Sequence, residues 1–146
     1  MCLESHKPIH LVIIMLGTND VKVRFSAPAA DIAKGVGLLL DIVSRSTAGP
    51  GESGPACLLV CPPLVGEEPG FDGSFSQGRE KSKQLADFYK REVDSRKGCF
   101  FLDAAEYIET NPVNGVHLTL EGLAVLGRVI AEKIQTIPLF LEEREI

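Results

Sequence analysis

The sequence alternates between short apolar runs and longer amphipathic segments, and this alternation restricts the possible folds more than any other feature. Three runs of strand length are almost wholly apolar: 9–16, 56–61 and 99–102. Each is followed by a segment with the apolar spacing of a helix: 26–45, 76–97 and 119–134. The order β-α-β-α-β-α predicts an α/β fold, with a parallel sheet covered by helices and joined by right-handed crossovers.

Several details of these elements can be predicted from their composition. The first run, IHLVIIML, is nearly continuous and is typical of a strand buried on both faces of a parallel sheet. Ser26 is expected to cap the first helix, with Pro28 in its first turn, and Thr119 to cap the last helix. Cys57 and Cys61 are expected to lie buried on one face of the second strand. The apolar stripe of the last helix is expected to comprise Leu123, Ala124, Gly127, Ile130 and Ile134.

Composition places the chain among ordinary globular proteins and excludes several partners. At 146 residues, 45% hydrophobic and 24% charged, we expect a single domain over 1–146. A net charge of −5 without a basic block disfavours nucleic acid and anionic membranes. No apolar run has the length of a membrane span, and four cysteines without paired spacing predict a reducing, cytoplasmic setting. We find no metal cluster, P-loop or dinucleotide fingerprint, so no cofactor or metal is expected.

Two segments follow predicted strands of the parallel sheet. Ligands of such sheets bind outside the carboxyl ends of the strands, so both segments are candidates for a site. Asn19 lies in Gly17-Thr18-Asn19-Asp20, directly after the first run, and its amide could donate to a developing oxyanion. His117 precedes the last helix and could act as a general base near neutral pH. Each also has an ordinary interpretation, since Gly, Asn and Asp favour turns and a loop histidine needs no function.

Together the two segments resemble the SGNH (GDSL-type) hydrolases, a family of esterases, lipases and acyltransferases. The resemblance runs from about Ile9 to Ile134 and is closest to the arylesterase branch. Five stretches carry it: 11–20 (LVIIMLGTND), 60–63 (VCPP), 80–82 (EKS), 101–104 (FLDA) and 112–117 (PVNGVH). It implies a three-layer α/β/α, flavodoxin-like fold whose five-stranded parallel sheet has the GTND strand in its interior, flanked by the first strand of the family.

The resemblance also implies roles for individual residues in the hydrolysis of a small ester. Asn19 corresponds to the oxyanion donor, and His117 to the base that activates a serine. Position 114 corresponds to the aspartate that orients the base, but here it is Asn114, which carries no charge. In serine proteases the equivalent change lowers kcat about 10⁴-fold. Asp103 could replace the missing carboxylate only if its loop folds back.

The serine-bearing GDS segment is absent from the sequence. The nearest similar stretches, 72–74 (DGS) and 74–78 (SFSQG), are predicted to be loop, because neither leads from a strand into a helix. We therefore expect the fold to lack its first strand or strands and the chain alone to have weak or no activity. The run 11–16 would then form an exposed apolar edge able to pair with another chain or to self-associate.

Two alternatives remain open on the sequence. The chain could be a non-catalytic binding or regulatory protein, with the exposed strand edge and the loop 64–75, which has the length of a lid or binding loop, as its interaction surface. It could also be a fragment without a function of its own.

Overall fold

The computed structural model describes residues 2–67 and 69–138. Within them, three parallel strands form one sheet in the order β1-β2-β3. The strands are β1 (Leu11–Ile14), β2 (Ala56–Cys61) and β3 (Cys99–Asp103). The register pairs Ile13 of β1 with Leu58 of β2, and Cys57 of β2 with Cys99 of β3. The parallel sheet predicted from the alternation is confirmed.

Four α-helices occur in the described residues, three of them longer than one turn. They are α1 (Cys2–Ser5), α2 (Ala29–Ser44), α3 (Gly78–Asp94) and α4 (Leu120–Ile134). Helices α2 and α3 pack on one face of the sheet, and α4 packs on the other, which gives the expected three layers. Short 3₁₀ helices lie at Val23–Phe25, Pro50–Glu52 and Ala104–Glu106. No described helix is both long enough and apolar enough to cross a membrane.

The larger core lies between the sheet and the helices α2 and α3. Its fully buried members include Leu40, Leu59, Leu85 and Tyr89. The side chains of Cys57 and Cys61 face this core, as their spacing of four predicts, and both are buried as free thiols. A smaller core joins α4 to the opposite face through Leu58, Val60, Leu102, Leu126 and Val129.

The helix caps follow local sequence in one case and depart from it in the other. Thr119 caps α4 as predicted, accepting a hydrogen bond from the N–H of Gly122 at 3.0 Å. The prediction for Ser26 is wrong, because that residue ends the 3₁₀ helix Val23–Phe25 with a left-handed φ of 49°. Helix α2 begins three residues later, after Pro28. The ring of Pro28 disfavours helical dihedrals at Ala27, so a helix cannot run on from Ser26.

The prediction that the first apolar run is buried on both faces is wrong. Only Leu11–Ile14 form a strand, and this strand is at the edge of the described sheet. Three apolar side chains of the run are exposed: Ile13 within the strand, and Met15 and Leu16 directly after it. The exposed apolar edge that the sequence analysis predicts is therefore present in the described part of the sheet.

The predicted stripe of α4 is also partly wrong. Leu123, Ala124 and Gly127 are exposed, and the buried positions are Leu126 and Val129. The helix packs over β2 and β3, and of the β1 residues Leu11 belongs to the core on this side. Because nothing in the described chain covers β1 on this side, the neighbouring side of α4 stays in solvent.

Candidate active site

Asn19 lies in a tight turn that follows β1. The carbonyl of Gly17 accepts hydrogen bonds from the N–H groups of Asp20 at 3.0 Å and Val21 at 3.3 Å. The N–H of Lys22 donates to the carbonyl of Asn19 at 3.3 Å. Asn19 itself is exposed. The turn thus leaves Asn19 exposed at the carboxyl end of the sheet, the end at which α/β proteins bind ligands.

Tyr89 of α3 holds the start of this turn through a hydrogen bond from its side chain. Its hydroxyl donates to the carbonyl of Leu16 at 3.0 Å, and its ring is fully buried. Gly17 has a φ of +122°, and a Cβ at this position would collide with the Tyr89 hydroxyl. Burial raises the pKa of Tyr89, so the hydroxyl remains a donor. The sequence analysis does not single out Tyr89; the one signal that could have found it is that a buried phenol hydroxyl needs a hydrogen-bond partner.

His117 lies in a loop that Asn114 shapes. The side-chain oxygen of Asn114 accepts hydrogen bonds from the N–H of Val116 at 3.0 Å and from the N–H of His117 at 2.8 Å. The carbonyl of His117 accepts from the N–H of Asn111 at 2.7 Å. These bonds hold the backbone of the loop, and the side chain of His117 is exposed.

The hydrogen bonds of Asn114 determine whether its side chain can also interact with the ring of His117. An amide oxygen has two lone pairs, and both of those on Asn114 are directed to backbone N–H groups. Its remaining groups are N–H donors, which cannot accept a proton from an imidazole N–H. Asn114 therefore positions the loop of His117 but supplies neither a charge nor an acceptor to the ring.

Asp103 does not take over the role of the missing carboxylate. It ends β3, and its side chain accepts from the N–H of Ala105 at 3.0 Å as the cap of a 3₁₀ helix. The carboxylate is thus engaged at the end of its own strand, and the loop does not fold back to bring it to His117.

The turn at 71–77 connects the segments that carry Asn19 and His117. The ring of Phe71 lies edge-on to the imidazole of His117, with 5.5 Å between centroids, and also contacts Phe75 at 5.9 Å. On the other side, the Nζ of Lys22 lies 5.1 Å from the ring of Phe75. The structure therefore brings the two predicted site segments to the same end of the sheet, with Phe71 as a neighbour of His117 that sequence analysis missed.

The backbone of this turn is unusual. Phe71, Asp72 and Gly73 have consecutive positive φ values of 71°, 50° and 75°. Such a φ is a genuine outlier for a bulky residue such as phenylalanine and costs of order 1–3 kcal/mol. The N–H of Ser74 donates to the carbonyl of Phe71 at 2.9 Å. The DGS stretch is a hydrogen-bonded turn that no strand enters, so it is not a nucleophile elbow.

The loop 64–75, predicted to be a lid or binding loop, is tied down at several points. Ser82, which is buried, accepts from the N–H of Val65 at 3.1 Å, and Arg79 donates to the carbonyl of Val65 at 2.9 Å. The N–H of Gly66 donates to the carbonyl of Gly115 at 2.7 Å. The loop is therefore a wall of the site that is fixed to the His117 loop.

A cleft of about 450 Å³ opens beside this wall. It lies after β2 and β3, and polar and apolar groups share its lining. The lining includes Leu64, Glu67, Arg79, Thr110, Asn111 and Gly115. No group of three or more His, Cys, Asp or Glu side chains in the described parts of the chain could hold a metal ion.

Comparison with solved structures places this geometry among esterases. A carbohydrate acetylesterase from Sinorhizobium meliloti, Est24, is 41% identical, with a TM-score of 0.85, over 92% of this chain and 64% of that chain. The aryl esterase of M. smegmatis is 37% identical, with a TM-score of 0.85, over 93% and 65%. A second carbohydrate acetylesterase family member from S. meliloti is 31% identical, with a TM-score of 0.82, over 93% and 65%.

No family model and no curated protein matches the chain. The chain spans slightly less than two thirds of the three esterases, whereas they match nearly all of it. Sequence identity and TM-score both indicate this similarity. Over nearly its whole length, the chain shares the fold of these carbohydrate acetylesterases and arylesterases, which are SGNH (GDSL-type) hydrolases.

Proposed function

We propose that this chain carries the oxyanion donor Asn19 and the general base His117 of a carboxylic-ester hydrolase site. The observation that supports this most strongly is the turn at 71–77, whose contacts with Lys22 and His117 hold the two segments at one end of the sheet. In this site a serine attacks the ester carbonyl while His117 takes its proton and later donates it to the leaving alcohol. The amide of Asn19 donates to the oxyanion.

The chain alone has weak or no activity under this proposal. Ser74 and Ser76 lie in a turn that no strand enters, so neither is placed as a nucleophile. The base is weakened as well, because Asn114 supplies no carboxylate to the imidazole. The substrate is a small ester, in keeping with the names of the relatives.

A chimera tests the roles of Asn19 and His117. This chain replaces the matched part of the S. meliloti acetylesterase, whose remainder supplies the serine, and hydrolysis of p-nitrophenyl acetate is measured. We expect turnover that His117→Ala abolishes and that Asn19→Ala lowers about 10²–10³-fold. Asn114→Asp is expected to raise kcat, because it restores a carboxylate.

The control is Val113→Ala, at a side chain that is 86% exposed in the same loop and should leave turnover unchanged. A folded chimera without turnover, or turnover that survives His117→Ala, refutes the proposed roles. In parallel, the purified chain alone should hydrolyse the ester no faster than its His117→Ala variant.

A second candidate function is non-catalytic binding or regulation. The exposed edge of β1 supports it, because unpaired strand edges recruit further strands, including those of a second copy. Capture of a complete relative by the immobilised chain, lost in Ile13→Lys, would favour this function if the chimera also proves inactive.

A further inference from the structure

Two free thiols lie side by side at the amino end of the sheet. Cys57 of β2 and Cys99 of β3 are partners in register, so their side chains leave the sheet on the same face. Both contact the larger core, Cys57 as a fully buried member and Cys99 as a partly buried neighbour. Because the two thiols come from different strands, their spacing in the sequence does not reveal that they meet.

The distance between the two strands suits a disulfide. Neighbouring strands lie about 4.8 Å apart, and the Cα atoms of a disulfide lie about 4.4–6.8 Å apart. The Cβ atoms of a disulfide are closer, at about 3.8 Å, so a bridge here must draw β2 and β3 together locally. A bridge strained in this way needs no change of topology, and it is easily reduced.

The two thiols differ in access and in ionisation. Cys99 is half-buried and follows the exposed Gly98, whereas Cys57 has no exposed surface. A hydrogen bond from the Cys57 thiol lowers the pKa of Cys99. The charge of Arg96 lowers this pKa further, whereas burial and the carboxylate of Asp41 raise it. The same hydrogen bond, together with burial, raises the pKa of Cys57. Cys99 is therefore the nucleophile of the pair, and Cys57 is placed to resolve its oxidised form.

Cys61 shows how the same strand treats a thiol outside this pair. It lies on the same face of β2 as Cys57 and is equally buried. Its register partner on β3 is Asp103 rather than a thiol. Burial raises the pKa of Cys61 to about 12, and the charge of Asp103 acts in the same direction. Of the thiols whose side chains the structure describes, Cys57 and Cys99 are thus the two that are register partners.

We infer that Cys57 and Cys99 form a reversible redox pair, in which hydrogen peroxide oxidises Cys99 and Cys57 then closes a disulfide between β2 and β3. The thiolate of Cys99 attacks one peroxide oxygen, so that an S–O bond forms, the O–O bond breaks and hydroxide leaves. Cys57 attacks the resulting sulfenic acid, so that the S–S bond forms and the S–O bond breaks. The departing hydroxide takes the proton of Cys57. Overall the two thiols lose two electrons and two protons, and the peroxide is reduced to two waters.

This redox pair is separate from the proposed ester site. The pair lies at the amino end of the strands, whereas Asn19 and His117 lie beyond the carboxyl ends. Disulfides of a reducing compartment are usually transient and redox-sensing, and a strained bridge between β2 and β3 has that character. The inference therefore stands or falls without regard to ester hydrolysis.

Peptide mapping of the whole chain tests the inference, in a Cys2→Ser background that leaves the three described thiols. The folded protein is treated with hydrogen peroxide, denatured with iodoacetamide to block the remaining thiols, and digested with trypsin without reductant. Cys57 and Cys61 share the tryptic peptide 46–79, and Cys99 lies in 98–128. We expect mass spectrometry to find these two peptides linked, and reduced glutathione to separate them.

Variants identify which thiol is linked to Cys99. Cys61→Ala is the matched control, because it removes a buried thiol from the same strand and the same peptide, and it should keep the link. Cys57→Ala should abolish the link and leave Cys99 as a sulfenic acid. Dimedone should trap this sulfenic acid at Cys99 about tenfold or more above the level at Cys61. Cys99→Ser, at a half-buried position, should leave Cys57 reduced, which keeps the test valid if Cys57→Ala does not fold.

Three results would overturn the inference. The first is a folded chain in which Cys99 stays reduced, or is oxidised to sulfinic acid without any link to Cys57. The second is a link that persists in Cys57→Ala, because Cys61 would then be the partner. The third is a link between two chains, seen as a dimer on a non-reducing gel. A link that reduced glutathione cannot break contradicts the reversibility of the pair.

Discussion

Replacing Gly17 with alanine probes the turn that presents Asn19. At a φ of +122° a side chain is strained, and the new Cβ would collide with the hydroxyl of Tyr89. That hydroxyl cannot move aside easily, because it lies on the axis about which the ring flips. The ring is fully buried, and the hydroxyl is hydrogen-bonded to the carbonyl of Leu16.

The cost of this replacement follows from two separable contributions. The backbone strain costs about 1–3 kcal/mol. Displacing the hydroxyl breaks a buried hydrogen bond and costs about 1–3 kcal/mol more. The smaller entropy of the unfolded alanine chain offsets about 0.4–1 kcal/mol. We therefore expect Gly17→Ala to lower the free energy of unfolding by about 1–6 kcal/mol.

A double-mutant cycle with Tyr89→Phe separates these contributions. The single Tyr89→Phe variant should lose about 1–3 kcal/mol, because the carbonyl of Leu16 loses its donor. In that background Gly17→Ala meets no hydroxyl, so only the strain remains. The double variant should then be more stable than the sum of the singles by about 1–3 kcal/mol, the hydrogen-bond contribution that both singles share.

Urea unfolding followed by circular dichroism measures all four proteins at one pH. Gly127→Ala is the control, since that glycine is inside α4 with open space around it; it should gain about 0.5–1 kcal/mol. Gly17→Ala as stable as the wild type, or single effects that simply add, would refute the reasoning.

Three further predictions concern charge, thiol reactivity and the environment of the base. The Arg96 guanidinium lowers the pKa of Asp41 in the folded state. The ion pair therefore stabilises the fold at pH values above the pKa that Asp41 has in the unfolded chain. This stabilisation is lost as the pH falls through the lower pKa of the folded state. In the Asp41→Asn variant, the free energy of unfolding should therefore fall less steeply as the pH is lowered through the acid range. Burial raises the pKa of Cys61 to about 12, so its thiol should resist a thiol reagent at pH 8 until urea unfolds the chain, as mass spectrometry of labelled peptides can show. Phe71→Leu should move the ring-proton NMR signals of His117 by removing an aromatic ring 5.5 Å away; unchanged signals would contradict the contact.

Elements bounded by local signals were predictable from the sequence. Strand β2 occupies 56–61 as predicted, because Pro62 and Pro63 cannot continue a sheet ladder. Thr119 caps α4 through a bond to a residue three positions later, which is again a local interaction. The start of α2 was misplaced because two local signals competed, and the proline at position 28 outweighed the serine at 26.

For the candidate site, the sequence predicted individual residues but not the contacts between them. The GTND and NGVH segments indicated Asn19 and His117, whose roles as donor and base stay predictions. The side-chain oxygen of Asn114 accepts from backbone N–H groups because of the way its loop folds. The spacing of residues in the sequence does not show this. The contact of Phe71 with His117 joins residues 46 positions apart in the chain, through a backbone conformation that phenylalanine rarely adopts.

The sequence by itself determined the alternation of strands and helices, the parallel sheet and the resemblance to the SGNH family, because periodicity and short motifs are local properties. The tertiary structure decided which surfaces are covered. Leu58 and Ile13 have the same apolar character and the same sheet face, yet α4 buries one and leaves the other exposed. Burial depends on where each layer ends, and the position of that boundary is set by packing between distant segments.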